Sequence, residues 1–367
     1  MRSLVIIAVL GCAGSGASGA GSELAKGVLT DVAGEASDAP TLPDAEEAAS
    51  DAPGDSLGGG DTGSTDVGED LSLAPDPALG LTVGHLQVKG THNSYHIEPP
   101  DNEVPEWDYT MAPLDEQLGE YGVRQVELDI HLEKDGLFHV HHIPFLDDLT
   151  TCDLLKDCLK AMKTWSDLRP GHHLVFVLVE PKDELDTEKI TDYEAVDAAL
   201  LEVWPRERIV TPDDVRGSSA TLREALLASG WPSIESTRGK VLFIMLDEGA
   251  HRDGYLDGRP SAEGRLMFPR GGEGATFGAF LELSRGSPGA IRAAAEAGYL
   301  VRTTVNDSES AAAVLEAGAH IISTDFPSPT TPAPADGFFL EIPGGEPSRC
   351  NPVTSPSTCT PAVFELP

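Results

Sequence analysis

The residues best suited to chemistry begin at a histidine that follows the first apolar run after residue 80. The stretch is Gly90-Thr91-His92-Asn93-Ser94-Tyr95. The imidazole of His92 can move a proton near neutral pH, and the carbonyl of Asn93 is a hard oxygen ligand for a cation such as Ca²⁺. The alternative is a turn or helix cap with an exposed histidine, so the interpretation depends on what later segments bring to the same place.

Three carboxylates occupy comparable positions in later apolar runs. Glu127 and Asp129 are two residues apart, so in a strand both side chains point to the same face. Glu180 ends another apolar run, with Lys182 two residues further on. Buried acids are costly unless they are paired or bound to a cation. The alternatives are a salt bridge to a neighbouring strand and, for Glu180, a surface pair with Lys182.

A histidine-rich run supplies a second group that could transfer protons. In Phe138-His139-Val140-His141-His142 the last histidine lies at the end of the run, near Pro144. There His142 can donate a proton to a leaving group. His139 and His141 alternate onto the opposite face, toward helices or solvent. A zinc site built from this cluster is the weaker alternative.

One basic residue, Arg302 in Val301-Arg302-Thr303, fits a phosphate through two parallel hydrogen bonds. Pairing with one of the carboxylates is the equal alternative. One amide oxygen and three carboxylates form an oxygen-only site, which selects Ca²⁺ or Mg²⁺ over zinc. With two histidines beside it, such a site fits cleavage of a phosphodiester, in which the cation polarises a phosphoryl oxygen and the histidines move protons.

Short strands alternating with helices must position these side chains. Strands are predicted at 86–90, 124–130, 137–142, 173–180, 240–246, 265–268, 299–304 and 320–324. Helices are predicted at 112–121, 153–164, 193–202, 219–228, 288–297 and 308–317. Eight strands with intervening helices over roughly 250 residues indicate a parallel (β/α)8 TIM-like barrel, whose function resides at the C-terminal ends of the strands.

The chain of 367 residues is strongly acidic, with 25 Lys and Arg against 61 Asp and Glu and a net charge of −36. This balance argues against a nucleic-acid partner and against electrostatic adsorption to anionic membranes. No feature implies a protein partner. Residues 13–81 are rich in Ala, Gly, Ser, Asp, Glu and Pro and cannot bury enough apolar surface to fold. They predict a disordered acidic linker before a barrel at 82–330, with a Pro-rich tail at 331–367.

The N-terminus resembles a bacterial lipoprotein signal. Residues 1–12 contain one basic residue, a short apolar core and small residues around Cys12, and the apolar run is too short to span a membrane. Cys12 would then be lipidated and become the mature N-terminus, although Leu10 is unusual in such a signal and cleavage by an ordinary signal peptidase is the alternative. Either route predicts an exported protein, secreted or held at the cell envelope.

The remaining cysteines form two local pairs, Cys152 with Cys158 and Cys350 with Cys359. In an oxidising compartment these pairs predict two disulfides. The alternatives are four free thiols, which export disfavours, and a zinc site, whose common spacings the pairs do not match.

The combined pattern resembles the calcium-dependent phosphoinositide-specific phospholipase C family, and most closely its secreted bacterial branch. The resemblance covers about 85–330, and its strength lies in the order and spacing of several weak motifs. The matching stretches are Gly90 to Tyr95, Gly122 to Asp129, His142-Ile143-Pro144 with Asp147, Thr150-Thr151-Cys152, Thr164 to Asp167, Pro170-Gly171-His172, Val179 to Asp183, Val301-Arg302-Thr303 and Ser323 to Pro327.

The resemblance implies a role for each matched position. His92 corresponds to the histidine that stabilises the pentacoordinate phosphorane, and His142 to the general acid toward the diacylglycerol oxygen. Lys182 and Arg302 correspond to contacts with phosphate or inositol, and Cys152–Cys158 to a structural disulfide. The implied calcium ligands, one of which doubles as the base for the inositol 2-hydroxyl, are Asn93, Glu127, Asp129 and Glu180. The substrate implied is a phosphatidylinositol-like phospholipid at a membrane surface.

The chain departs from the family pattern after the seventh predicted strand. Relatives tend to have Arg-Thr-Arg followed by Ala-Asp, whereas this chain has Arg302-Thr303-Thr304-Val305-Asn306. A basic and an acidic side chain are therefore missing, which bears on headgroup specificity more than on catalysis. The C2, EF-hand and pleckstrin modules of eukaryotic relatives are also absent from this sequence.

Two rival interpretations remain. The first is another phosphodiesterase on the same barrel, such as a glycerophosphodiesterase, although those enzymes usually open with His-Arg-Gly where this chain has His92-Asn93-Ser94. Metal-independent bacterial phospholipase C uses a basic residue in place of the cation, which the acidic set here disfavours. The second rival is a non-catalytic surface protein that binds lipid or sugar.

Overall fold

The computed structural model describes residues 80–100, 102–183, 193–284, 286–344 and 347–366. The predicted signal segment with Cys12, and the predicted linker up to residue 79, lie outside the described residues. The strands are β1 (Leu86–Thr91), β2 (Val123–Leu132), β3 (Phe138–Val140), β4 (Val175–Pro181), β5 (Val241–Met245), β6 (Phe268–Pro269), β7 (Phe280–Glu282), β8 (Leu300–Thr304), β9 (Ile321–Thr324) and β10 (Ser348–Cys350).

The helices lie between most of these strands. The α-helices are α1 (Leu114–Gly119), α2 (Leu155–Asp167), α3 (Tyr193–Val203), α4 (Pro212–Arg216), α5 (Leu222–Ser229), α6 (Ile234–Thr237), α7 (Ala250–Leu256), α8 (Pro288–Glu296) and α9 (Ser308–Ala317). Single 3₁₀ turns span Val83–His85, Pro105–Trp107, Arg206–Arg208 and Pro361–Val363. In the described part of the chain, no helix combines the length and apolar character needed to cross a membrane.

Eight parallel strands form a nearly closed barrel in the order β6-β5-β4-β2-β1-β9-β8-β7. The two ends of this order meet at a single parallel bridge between Arg270 and Phe280. The amide of Gly271 donates to the carbonyl of Phe280 at 3.0 Å across the same seam. The predicted α/β TIM-like barrel is therefore confirmed.

One predicted barrel strand is wrong and one was missed. The predicted strand at 137–142 is the short β3, which pairs antiparallel with the extended end of β2 and lies outside the barrel order. The missing barrel strand is β7, whose three residues were not predicted as a strand. A three-residue strand gives little periodicity, so the count of eight was right only because the two errors cancel.

Alternation along the strands separates the interior of the barrel from its helical layer. Val126, Leu128 and Ile130 of β2 pack in one apolar cluster with residues of α1, α2 and α3. Residues of opposite parity point inward, and a second cluster fills the barrel with aliphatic and aromatic side chains including Phe176, Phe268 and Phe280. Toward the C-terminal ends of the strands, inward positions change from apolar to charged, which places the functional residues at the mouth.

The segment after residue 330 packs against the barrel. Strand β10 pairs antiparallel with β1, and Phe364 is fully buried in the interior cluster. The carboxylate of Glu365 accepts two hydrogen bonds from the guanidinium of Arg124, at 2.7 and 2.9 Å. Residues 347–366 thus close the N-terminal end of the barrel, opposite the mouth.

Both predicted disulfides are formed. Cys152–Cys158 ties the loop before α2 to the first turns of that helix, and Cys350–Cys359 closes a loop of the C-terminal segment. Disulfides are typical of proteins exported to oxidising compartments.

Candidate active site

Three inward-pointing carboxylates lie together at the mouth of the barrel. Asp129 on β2 and Glu180 on β4 are direct partners in the parallel pairing, and Glu127 precedes Asp129 on the same face. One oxygen from each lies within 4.8 Å of the others. The predicted convergence of Glu127, Asp129 and Glu180 is therefore present in the structure.

Asp129 has the most unusual environment of the three. Its side chain is completely buried, and neither carboxylate oxygen accepts a well-formed hydrogen bond. The Nζ of Lys182 is 3.2 Å from Oδ2, which makes an ion pair without hydrogen-bond geometry. A buried carboxylate with unsatisfied oxygens is costly, and a cation held by Asp129 would offset that cost.

Asn93 approaches the carboxylates from the end of β1. Its backbone has a positive φ of 42°, a conformation that Asn tolerates better than most residues. The next residue, Ser94, accepts a hydrogen bond at its Oγ from the amide of Glu127 at 2.8 Å and donates its own amide to the carbonyl of Glu127 at 3.1 Å. The hydroxyl of Tyr95 lies 3.5 Å from the Asn93 Oδ1. Asn93 is therefore held beside Glu127.

The acids in this cluster disfavour each other's charge. Burial raises the pKa of Glu127, although Arg302 and His92 oppose the shift. Burial and the charge of Asp129 raise the pKa of Glu180 to about 8, against the opposing charge of Lys182. A cluster of buried acidic oxygen donors that repel one another fits Ca²⁺, which prefers six to eight oxygen ligands including carboxylates and amide carbonyls.

The structure places Arg302 among carboxylates. The guanidinium is buried and donates to Glu127, to Glu282 and to Ser323, the last at 2.9 Å. Glu282 in turn pairs with Arg270 at 2.8 Å. Of the two roles open to Arg302 from the sequence, this geometry favours the carboxylate pairing, so Arg302 positions Glu127 and its contact with substrate stays a prediction.

His92 reaches the site from the end of β1 and is oriented by a residue that follows the neighbouring strand β9. Its Nδ1 is 2.8 Å from the Oδ1 of Asp325, which follows β9, and its Nε2 is 4.0 Å from Glu127. Asn306 donates to the other oxygen of Asp325 and accepts from the Asp325 amide at 3.0 Å. Desolvation lowers the pKa of His92, but the charges of Asp325 and Glu127 outweigh it and raise the pKa to about 9.

The departure noted in the sequence falls in this network. Asn306 belongs to the stretch in which the sequence departs from the pattern it resembles, and its amide orients Asp325 through both of its polar atoms. This departure from the family pattern therefore affects the residue that orients His92, namely Asp325.

His142 is oriented by its own loop. Its Nδ1 lies 2.7 Å from the Oδ2 of Asp147, whose other oxygen is 2.8 Å from the Nε2 of the buried His96. Burial alone would raise the pKa of Asp147. The contacts of its carboxylate with His142 and His96 outweigh burial, so the pKa lies below the usual range. The Nδ1 of His96 lies 3.0 Å from the carbonyl of Tyr109. Asp147 is thus a fixed anion beneath His142.

The other histidines of the same run stand apart from the carboxylate cluster. His139 lies between Asp135 and Asp153, at 3.1 and 2.9 Å, on the surface. The ring of His141 stacks on His131 at 3.9 Å. Among the described residues, the only group of three or more possible metal ligands is Glu127, Asp129 and Glu180, which disfavours the zinc alternative for this run.

Several residues of the site were not singled out from the sequence. Glu282 and Arg270 were missed because β7 was not predicted and Arg270 lies just beyond the two-residue strand β6. Asp147 and Asp325 were quoted only as parts of matching stretches, and the partner role of each depends on tertiary contacts. His96 had a signal in the sequence, since it lies four residues after His92, but its contact with Asp147 requires the loop to fold back.

A barrel with clustered oxygen ligands and two carboxylate-oriented histidines at its mouth is typical of metal-assisted phosphodiester chemistry. The sequence model of the Ca²⁺-dependent phosphoinositide phospholipase C family matches residues 131–352, more than half of the chain. The protein therefore belongs to this family of calcium-dependent enzymes. His92, Asn93, Glu127 and Asp129 precede the matched residues, and this match does not cover them.

Two solved structures show the same fold. One is a calcium-dependent phosphoinositol-specific phospholipase C from a Gram-negative Pseudomonas species, with 18% identity, a TM-score of 0.57, and coverage of 76% of this chain and 97% of that one. The other is a calcium-dependent phosphatidylinositol-specific phospholipase C from Streptomyces antibioticus, with 20% identity, a TM-score of 0.52, and coverage of 67% and 95%. A search of curated protein sequences gives no significant match.

Proposed function

We propose that this enzyme cleaves the phosphodiester bond of phosphatidylinositol and releases diacylglycerol and a cyclic or open inositol phosphate. The observation that carries the proposal is the cluster of Glu127, Asp129 and Glu180 at the barrel mouth. It is flanked by two histidines, each paired with its own aspartate. The family membership supports a phosphoinositide substrate, and the specific headgroup and products are part of the proposal.

Each residue of the site has a defined task in this reaction. Asn93, Glu127, Asp129 and Glu180 would hold Ca²⁺, which when bound supplies polarisation of a phosphoryl oxygen and lowers the pKa of a coordinated hydroxyl. His142, oriented by Asp147, donates a proton to the departing diacylglycerol oxygen. His92, oriented by Asp325, hydrogen-bonds a phosphoryl oxygen as negative charge develops there. One carboxylate accepts the proton of the inositol 2-hydroxyl.

A tight apolar hairpin next to His142 supports action at a membrane surface. Ile143 and Asp147 exchange backbone hydrogen bonds, both of 2.9 Å, and Phe145 at the tip is 94% exposed. Leu146 and Leu149 beside it are also exposed. Phe145 has a positive φ of 66°, which is rare for a bulky residue and worth a functional explanation. Burial of these side chains in lipid would bring His142 to the substrate without a basic surface.

Export and anchoring extend the same proposal. The two disulfides fit an oxidising compartment, and a lipid on Cys12 would hold the enzyme at the cell envelope. Mass spectrometry of the mature N-terminus tests this part: a diacylated cysteine supports the anchor, whereas a chain that starts after a different residue without lipid supports simple secretion.

The decisive experiment is hydrolysis of phosphatidylinositol by the purified protein, followed by phosphorus NMR, with calcium and with a chelator. Calcium-dependent release of an inositol phosphate is the expected result, and the spectrum distinguishes the cyclic product from the open one. Cleavage of glycerophosphodiesters instead would favour the rival phosphodiesterase, and failure to cleave either substrate would overturn the proposed reaction.

A further inference from the structure

The ammonium of Lys182 lies against two of the proposed calcium ligands. Its Nζ is 2.7 Å from the Oε1 of Glu180 and 3.2 Å from the Oδ2 of Asp129. Lys182 directly follows β4 and its side chain is mostly buried. These two carboxylates face each other across the β2–β4 pairing, so the ammonium bridges the same acids that a bound cation would bridge.

A calcium ion and the ammonium of Lys182 would compete for the same two carboxylates, those of Asp129 and Glu180. Asp129 and Glu180 would hold Ca²⁺ through their carboxylate oxygens, and oxygens of the same two carboxylates contact Nζ in this structure. Like charges a few ångströms apart repel strongly where water is largely excluded.

We propose that Lys182 is an intramolecular competitor for calcium, which must leave Asp129 and Glu180 before calcium binds them fully. The inference rests on the calcium site of the proposed function and adds a regulatory property to it. The apparent dissociation constant for calcium is the intrinsic constant divided by the fraction of protein whose carboxylates are free of the ammonium. Lys182 therefore sets the calcium concentration at which the site fills.

The competition implies two positions for the Lys182 ammonium, one against the carboxylates without calcium and another when calcium is bound. An ammonium displaced from Asp129 and Glu180 remains tethered at the barrel mouth, where a substrate phosphate would lie. The predicted contact of Lys182 with phosphate then applies to the calcium-bound enzyme, and the carboxylate contacts apply to the calcium-free enzyme. Filling of the metal site and recruitment of the phosphate become coupled through one side chain.

The test is calcium binding by the full-length protein, measured by isothermal titration with calcium chloride and no substrate. Lys182→Met removes the charge and keeps most of the side-chain volume, and we expect it to bind calcium about tenfold more tightly than wild type because the competing cation is gone. Lys163→Met is the matched control, since Lys163 pairs with Asp167 on the surface of α2, 2.7 Å apart and away from the mouth. Its calcium affinity should equal that of wild type.

Thermal unfolding gives an independent measurement. In chelator, Lys182→Met leaves Asp129 and Glu180 without their cation and should unfold at a lower temperature than wild type. Saturating calcium should then raise its unfolding temperature by more than it raises that of wild type, because a ligand that binds the native state more tightly stabilises it more. Lys182→Gln, which is uncharged but polar, serves as a second variant if the methionine variant folds poorly in chelator.

The outcomes separate this inference from the proposed function. Tighter calcium binding by the uncharged Lys182 variants supports competition. Unchanged or weaker binding, with wild-type binding intact, overturns the competition and leaves the calcium site standing. If neither the wild type nor the Lys182 variants bind calcium, the metal site itself is wrong and the inference falls with it.

Discussion

The two histidines of the candidate site are held in different ways. His92 follows β1, and its partner Asp325 follows β9, the neighbouring strand of the barrel. His142 lies beyond the hairpin strand β3, outside the barrel order, and its partner Asp147 is only five residues away in the same loop. One pair is therefore fixed by the barrel and the other by a local loop.

The contacts that surround the two histidine–aspartate pairs also differ. The loop with His142 and Asp147 is tied to the body by Cys152–Cys158, by the contact of Asp147 with His96, and by backbone bonds such as Thr151 to Tyr95 at 2.7 Å. Within the residues that the structure describes, the strand-end pair has no disulfide beside it, because the parallel pairing of β1 with β9 positions both partners and Asn306 holds Asp325. The strands of the barrel thus position one half of the site. The other half lies in a loop that is held in place by contacts of its own.

Removal of either imidazole is expected to have the largest effect. His92→Ala and His142→Ala should each lower turnover of phosphatidylinositol by at least about 10²-fold, the low end for groups that act in acid–base catalysis. The overall fold should persist in both, since neither side chain belongs to the apolar clusters. Turnover by the variants with saturating calcium, checked by circular dichroism, is the measurement. Near-normal turnover in either variant would remove that histidine from the mechanism.

Substitution of the two aspartate partners should distinguish the pair held by barrel strands from the pair held by the loop. Asp325→Asn and Asp147→Asn should each lower turnover by about 10- to 100-fold, as loss of a partner that orients a functional histidine often does. Asp147→Asn should lower the free energy of unfolding by more than Asp325→Asn does, by about 1–3 kcal/mol, because Asp147 is fully buried and the change also disturbs its contact with His96. Urea titrations beside turnover assays test this, and equal stability losses would contradict the contrast.

The strand-end half of the site was predictable from the sequence. The period-two pattern around Glu127 and Asp129 placed both acids on the inner face, and the ends of β1 and β4 supplied Asn93, His92 and Glu180. Position along a barrel strand determines where such a side chain points. The pattern could not show that Arg302 would bind Glu127 and Glu282, because that choice depends on a three-residue strand with almost no sequence signal.

The loop half was predicted by residue type but not by position. His142 was placed at the end of a barrel strand, whereas β3 is an antiparallel appendage of β2. An apolar run of a few residues carries no information about which strand it will pair with. His96 was missed for a related reason, since its partner Asp147 is 51 residues away and meets it only after the loop folds back.

Removal of each disulfide tests whether Cys152–Cys158 holds the loop that contains His142 in place. The paired variants Cys152→Ser/Cys158→Ser and Cys350→Ser/Cys359→Ser open short loops of similar length, six and nine residues in separation. Each should cost about 2–3 kcal/mol of unfolding free energy. Only the first should also lower turnover, by about tenfold, because small displacements of a catalytic group reduce the rate strongly. Equal turnover in both would mean that the loop is held without its disulfide.

The smallest effect is expected at the tip of the loop. Phe145→Ser should leave turnover of a monomeric, water-soluble substrate unchanged and weaken binding to neutral phospholipid vesicles by about fivefold, as expected for a phenyl ring partly buried in lipid. Leu168→Ser is the matched control, because Leu168 is 75% exposed but caps the C-terminus of α2, away from the mouth. Vesicle sedimentation at low and high salt measures both. Equal losses at the two positions would show that the loop half of the site does not face the membrane, and a loss that vanished at high salt would point to charge instead of apolar contact.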